Sequence, residues 1–123
     1  MPRTRVLVVD DAVVVRRIVT EALGADPRIE VVGTAPNGRI ALSKISHVNP
    51  DIITLDVEMP EMDGIELARR ATELDPDLKV MFITGFAAVA LNPDSQAPKN
   101  AKVLSKPIHL RDLVSEVERL LAA

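Results

Sequence analysis

Three acidic residues stand where apolar runs stop. Arg5–Val9 is followed by Asp10 and Asp11, and Asp51–Leu55 is followed by Asp56. The run Lys79–Thr84 ends on a hydroxyl, and the run Ala101–Leu104 leads to Lys106-Pro107. Each run has the length of a strand. In an open parallel sheet, ligands bind at the carboxyl ends of the strands. Three carboxylates, a hydroxyl and an ammonium are therefore expected to meet at one edge. Taken singly, an acidic residue past a strand is most simply a helix cap. The set resists that reading, because three clustered carboxylates without a cation repel and desolvate badly. They suit a hard, oxygen-seeking divalent ion such as Mg²⁺.

With such an ion in place the remaining groups read as phosphoryl chemistry. A carboxylate can act as a nucleophile and form an acyl phosphate. The reaction needs in-line placement and neutralisation of the equatorial oxygens. Mg²⁺ takes one oxygen. Lys106, a mobile point charge, takes another. The Thr84 hydroxyl and nearby backbone N–H groups take the third.

The elements that must position these residues are legible as alternation. Strands are expected at Arg5–Val9, Ile29–Thr34, Asp51–Leu55, Lys79–Thr84 and Ala101–Leu104. Between them run segments of helical period. Val15, Ile18, Val19 and Ala22 form one stripe, stopped by Gly24. Ile40, Ala41, Ile45 and Val48 form a second, after the turn signal Asn37-Gly38. Ile65, Leu67, Ala68, Ala71 and Leu74 follow Asp63-Gly64. Leu110, Leu113, Val114, Val117, Leu120 and Leu121 make the clearest stripe. The segment 87–102 contains Pro93 and Pro98, so a helix there is expected to be short or irregular. Strand–helix alternation implies a parallel sheet with helices on both faces. Near-continuous apolar strands agree, since such strands are buried on both sides.

Composition bounds the function classes. The 123 residues fit one domain, 1–123, and 47% of them are hydrophobic, enough for a sizeable core. Only Phe82 and Phe86 are aromatic, so no platform exists for stacking bases. A net charge of −3 supplies no field for a phosphate backbone, so no nucleic-acid partner is expected. No cysteine is present, which excludes disulfides and thiolate metal sites. The N-terminal apolar run is too short for a signal peptide or a membrane span. A cytoplasmic, reducing setting without a membrane partner is the plain expectation.

Leu7-Val8-Val9-Asp10-Asp11, Leu55-Asp56-Val57-Glu58-Met59-Pro60-Glu61-Met62-Asp63-Gly64, Ile83-Thr84-Gly85 and Ser105-Lys106-Pro107, in that order, resemble the response-regulator receiver family. The resemblance covers the whole chain. It implies a flavodoxin-like, doubly wound five-stranded sheet of order 2-1-3-4-5 with right-handed crossovers. It implies that Asp56 is the phospho-acceptor. Asp11, Asp56 and the backbone carbonyl of Glu58 would ligate Mg²⁺, with Asp10 reaching it through water. Lys106 would pair with the phosphoryl group and Thr84 would report it. The donor would be a phosphohistidine on a histidine kinase or histidine phosphotransfer protein. Such a chain is a switch rather than an enzyme, limited to self-phosphorylation and slow autodephosphorylation. An aspartate-nucleophile phosphohydrolase is the rival, but it would want a second aspartate where Glu58 stands, and a cap domain.

Some positions depart from the family pattern. The aromatic usual three residues before the lysine is Val103 here, so the expected relay is weakened, and Phe86 is a candidate to replace part of it. His109 stands where an acidic cap is common, and neither it nor His47 is expected to act. Arg16-Arg17 and Arg69-Arg70 read as solvated helix faces. Residues up to about Met59 resemble the receiver of a chemotaxis methylesterase, and those from about Met62 to Ala123 resemble CpdR-type single-domain regulators. That division raises the prospect of a recombined or designed chimera, and the alternative to a working phosphorelay receiver is an engineered or degenerate chimeric scaffold that folds but signals weakly or not at all. The chain ends within a turn of the last helix, so output is expected through a protein partner. The terminal Leu121-Ala122-Ala123 resembles the small apolar signal read by a bacterial unfoldase-protease, which would link that partner to a protease, although an Ala-Ala terminus taken alone is most simply a frayed helix end.

Overall fold

The computed structural model describes residues 3–57, 59, 62–84, 101–105 and 110–122. Five strands pair in parallel: β1 (Thr4–Val9), β2 (Ile29–Ala35), β3 (Ile52–Leu55), β4 (Lys79–Thr84) and β5 (Lys102–Ser105). Their order across the sheet is β2-β1-β3-β4-β5, as expected. The helices among the described residues are α1 (Val13–Gly24), α2 (Gly38–Val48), α3 (Gly64–Leu74) and α4 (Leu110–Ala122). The expected irregular helix within 87–102 falls almost wholly outside the described residues.

Strand side chains alternate between two cores, as a period of two requires. Leu7, Val9, Ile53, Leu55, Val80 and Phe82 pack with Ala41 and Ile45 of α2 and with Leu67, Ala68 and Ala71 of α3. Val6, Val8, Ile52, Met81 and Ile83 pack on the other face with Val19 and Leu23 of α1 and with Leu113 and Val117 of α4. The sheet is thus covered on both faces, the reason its strands are almost wholly apolar. Among the described residues no helix is long and apolar enough to cross a membrane.

The helix ends follow local chemistry. Asn37 accepts a hydrogen bond from the Ile40 N–H (2.9 Å) and so caps α2. That helix closes on Asn49 in the left-handed conformation, at φ 47°. Asp63 caps α3 by accepting from the Glu66 N–H (2.8 Å). Gly24 behaves differently from the expectation. It is the last residue of α1 with no positive φ, and Ala25 closes the helix by donating to the Glu21 carbonyl.

One ionic cluster joins the start of β2 to α4. The Arg28 guanidinium hydrogen-bonds both Asp26 carboxylate oxygens, at 3.1 and 2.9 Å, and also meets Glu118. The Arg28 side chain and then its backbone N–H (2.8 Å) hold the Asp26 carboxyl well below the usual carboxylate range. A depressed carboxyl contributes stability above its unfolded pKa, about 3.9, and loses it as pH falls toward the folded value. Melting curves of the wild type and Asp26→Asn are therefore expected to differ slightly at pH 6 and to converge as pH falls below 4. The gap should be small, because the cluster is solvent-screened. A gap as wide at pH 2 as at pH 6 would contradict this account.

Candidate functional site

The C-terminal ends of β1, β3 and β4 lie side by side, because these strands are neighbours in the sheet. Val8 is registered with Thr54, so Asp10 and Asp56 stand at equivalent positions two residues further on. Leu55 is registered with Phe82, which sets Thr84 opposite the residue after Asp56. All three site side chains are buried: Asp10 is 4% exposed, Asp56 7% and Thr84 0%. Buried polar groups persist only where they are bonded or functional, and each of these three has a partner. Asp11 is exposed at the rim. Lys106 and Glu58 lie outside the described residues, as do Phe86 and His109.

Asp10 holds the turn between β1 and α1. Its N–H donates to the Ala35 carbonyl (3.1 Å), and its Oδ1 accepts from the Ala12 N–H (2.9 Å). The Ala12 side chain cannot cap α1, so Asp10 takes part of that task. The plain cap reading is therefore correct for one of its oxygens. The Asp10 carbonyl accepts from Arg16 Nη1 at 2.7 Å. This corrects the reading of Arg16 as a solvated face: it is half-buried and ties α1 to the turn that carries Asp10. Arg17, Arg69 and Arg70 are exposed as expected, and the latter two pair with Glu73 and Glu66 one turn away.

Among the described residues, no three acidic or histidine side chains gather into a ready metal cluster. The donor chemistry nonetheless fits a hard cation. Two buried carboxylates stand at adjacent strand ends with an exposed third at the rim, and Mg²⁺ is held by one or two carboxylates plus water and substrate oxygens.

Val103 is registered with Phe82, is half-buried, and packs on the core shared with α2 and α3. A small aliphatic side chain thus occupies the place in β5 where the family pattern has a ring. His47 is exposed in the last turn of α2, its Nδ1 2.9 Å from the Ser43 carbonyl, a local helix-end contact.

Comparison with known proteins places this geometry. Residues 6–118 match the response regulator receiver domain. The chain is 56% identical over 119 residues to the response regulator receiver protein CpdR of Brucella abortus, covering 97% of this chain and 98% of that protein. It is 64% identical over 74 residues to a protein-glutamate methylesterase/protein-glutamine glutaminase of Nocardioides sp.. That match takes in 58% of this chain and 20% of the larger protein. Among solved structures, the signal receiver domain of the response regulator NarL from Mycobacterium tuberculosis superposes with a TM-score of 0.86 at 28% identity. It covers 100% of this chain and 99% of that one.

These findings lend no support to a chimera. One relative aligns along nearly the entire chain, first half included, so no recombination is needed to account for the two halves. The likeness of the first half to methylesterases reflects a domain type common to both kinds of protein. The chain belongs to the response regulator receiver domain family, the phosphorelay receivers of two-component signalling.

Proposed function

We propose that the chain works as one receiver domain over 1–123, with Asp56 as its phospho-acceptor. The observation that carries this reading is the burial of Asp56 beside Asp10 at adjacent strand ends, with the Thr84 hydroxyl on the next strand. A buried carboxylate gathered with a second carboxylate and a hydroxyl at one sheet edge marks a candidate functional site.

Asp11, Asp56 and the Glu58 backbone carbonyl would hold Mg²⁺, with Asp10 one water away. The ion, when bound, supplies positive charge to the transferring phosphoryl oxygens. In the transfer, an Asp56 carboxylate oxygen attacks the phosphorus of a phosphohistidine. The N–P bond breaks, the O–P bond forms, and the imidazole leaves with the electron pair. Lys106 and the Thr84 hydroxyl take phosphoryl oxygens. Glu58, two residues past the acceptor, lies in sequence where a side chain can meet the water that ends the signal. The donor is a histidine kinase or histidine phosphotransfer protein, in the cytoplasm. The output is a changed protein-binding surface that a downstream, protease-linked protein reads. With Val103 in place of a ring, that change is expected to be modest, since an equilibrium shifts only by the differential affinity of its states.

The test is intact mass after incubation with acetyl phosphate. With Mg²⁺ the wild type is expected to gain about 80 Da, the mass of one phosphoryl group. With EDTA the gain should vanish. No gain under either condition, or a gain indifferent to EDTA, would end the proposal.

A further inference from the structure

The chain returns to Asp56 shortly after leaving it. It exits β3 at Leu55, passes Asp56 and Val57, and re-enters regular structure at Gly64, the first residue of α3. There the Gly64 N–H donates to the Val57 carbonyl at 2.7 Å. A Cβ placed on Gly64 would lie 1.9 Å from the Asp56 carbonyl oxygen, 2.7 Å from its carbonyl carbon and 2.9 Å from the Val57 Cα. Every one of these atoms is backbone. The closest approach falls about 1.5 Å short of the 3.4 Å at which ordinary contact begins. No glycine in the described chain has a positive φ, so Gly64 is needed for its size and not for an unusual conformation.

One side must yield if position 64 carries a side chain. Helix α3 is fixed by Leu67, Ala68 and Ala71, all fully buried, and by the Asp63 cap. The peptide after Asp56 lies past Leu55, the last residue of β3 registered with β4, and leads into Val57, which is buried in the core. The far end of the loop is held as well: Met62 packs against Gly38, where a Cβ would come within 3.0 Å of its sulfur. The atoms that a side chain at 64 would press on are the acceptor's own backbone.

We infer that Gly64 is a positioning residue for Asp56: by allowing α3 to seat directly on the Asp56–Val57 peptide, it sets where the acceptor carboxylate stands. The inference rests on the proposed role of Asp56. A misplacement of about 1 Å can cost about 100-fold in rate.

Gly64→Ala and wild type are compared with acetyl phosphate and Mg²⁺. In the reaction the acetyl O–P bond breaks, the Asp56 O–P bond forms, and acetate leaves. Rate constant and labelled fraction are read separately by intact mass, and the ¹³C resonance of the Asp56 backbone carbonyl is recorded. The expected result is a rate constant about 100-fold lower in the folded fraction, with a displaced Asp56 carbonyl resonance. An osmolyte that raises the folded fraction should restore amplitude and leave the rate constant low. A wild-type rate constant with only the amplitude reduced would overturn the inference, since that is how a purely structural glycine behaves.

If Gly64→Ala does not fold, Asp63→Ala decides. It removes the 2.8 Å cap and loosens the first turn of α3 without a clash. A several-fold lower rate constant and a shifted Asp56 carbonyl resonance are expected, and wild-type values for both would overturn the inference. A wild type that takes no phosphoryl group defeats the proposed function instead. The inference is then judged on the carbonyl resonance, where an unchanged position in the variant overturns it.

Discussion

Asp56→Asn is expected to remove all phosphoryl uptake while leaving the fold intact. Asparagine has the shape of aspartate but an amide in place of the carboxylate, so it has no anionic oxygen to form an acyl phosphate. The neighbouring carboxylates are poor substitutes. Asp10 already commits one oxygen to the Ala12 N–H, and Asp11 is exposed at the rim, one residue further from the strand. Neither follows β3, the central strand, which lies between β1 and β4. Intact mass after acetyl phosphate and Mg²⁺ should show the unmodified protein alone. Peptide mapping of the wild type should place the label in the peptide that contains Asp56. A variant that gains about 80 Da to the wild-type extent would show that the acceptor lies elsewhere.

Much of this arrangement was legible before any coordinates. Strand positions follow from short aliphatic runs bounded by polar residues, and β4 falls on Lys79–Thr84 as read from its sequence. The site follows from asking which residue comes after each strand, a question that sequence order answers once the sheet is known to be parallel. Side-chain exposure was less legible. Ile18 and Leu74 belong to apolar stripes yet are exposed: Ile18 sits at the margin of its stripe, beside the buried Val19, and Leu74 is the last residue of α3. Periodicity marks a face but not its width.

The unreadable part was contact at a distance. Arg16 looks like any helix-surface arginine until the fold brings it to the Asp10 carbonyl. Gly64 looks like half of a turn signal, and nothing in Asp63-Gly64 records that the peptide after Asp56 lies against it. The suggestion of a chimera arose for a related reason. Similarity read in pieces assigns each piece its own relative, whereas a match along 97% of the chain assigns one.

Phe82→Ala is expected to show the opposite behaviour to Asp56→Asn, with chemistry kept and stability lost. Phe82 is the one aromatic side chain in the described core and is fully buried in the middle of β4. It is registered with Leu55 on one side and Val103 on the other, in the core that α2 and α3 close. The surrounding side chains are aliphatic and belong to a sheet paired on both sides, so they cannot collapse far into the space a ring leaves. Truncating a buried Phe to Ala costs about 3–5 kcal/mol, against a total of about 5–15 kcal/mol for a domain. A fall in Tm of about 10–20 °C follows for a chain of this length, with a matching drop in the urea midpoint. A fall below about 3 °C would mean that the core repacks around the loss, contrary to the close packing expected of protein interiors. Phe82 is not itself placed in the site, and Asp56 lies on the neighbouring strand past the registered pairs. At 10 °C, where enough of the variant remains folded, Phe82→Ala should still accept a phosphoryl group. Asp56→Asn at the same temperature should be folded and unlabelled. The pair of variants thus separates the residue that holds the sheet together from the one that the sheet is built to present.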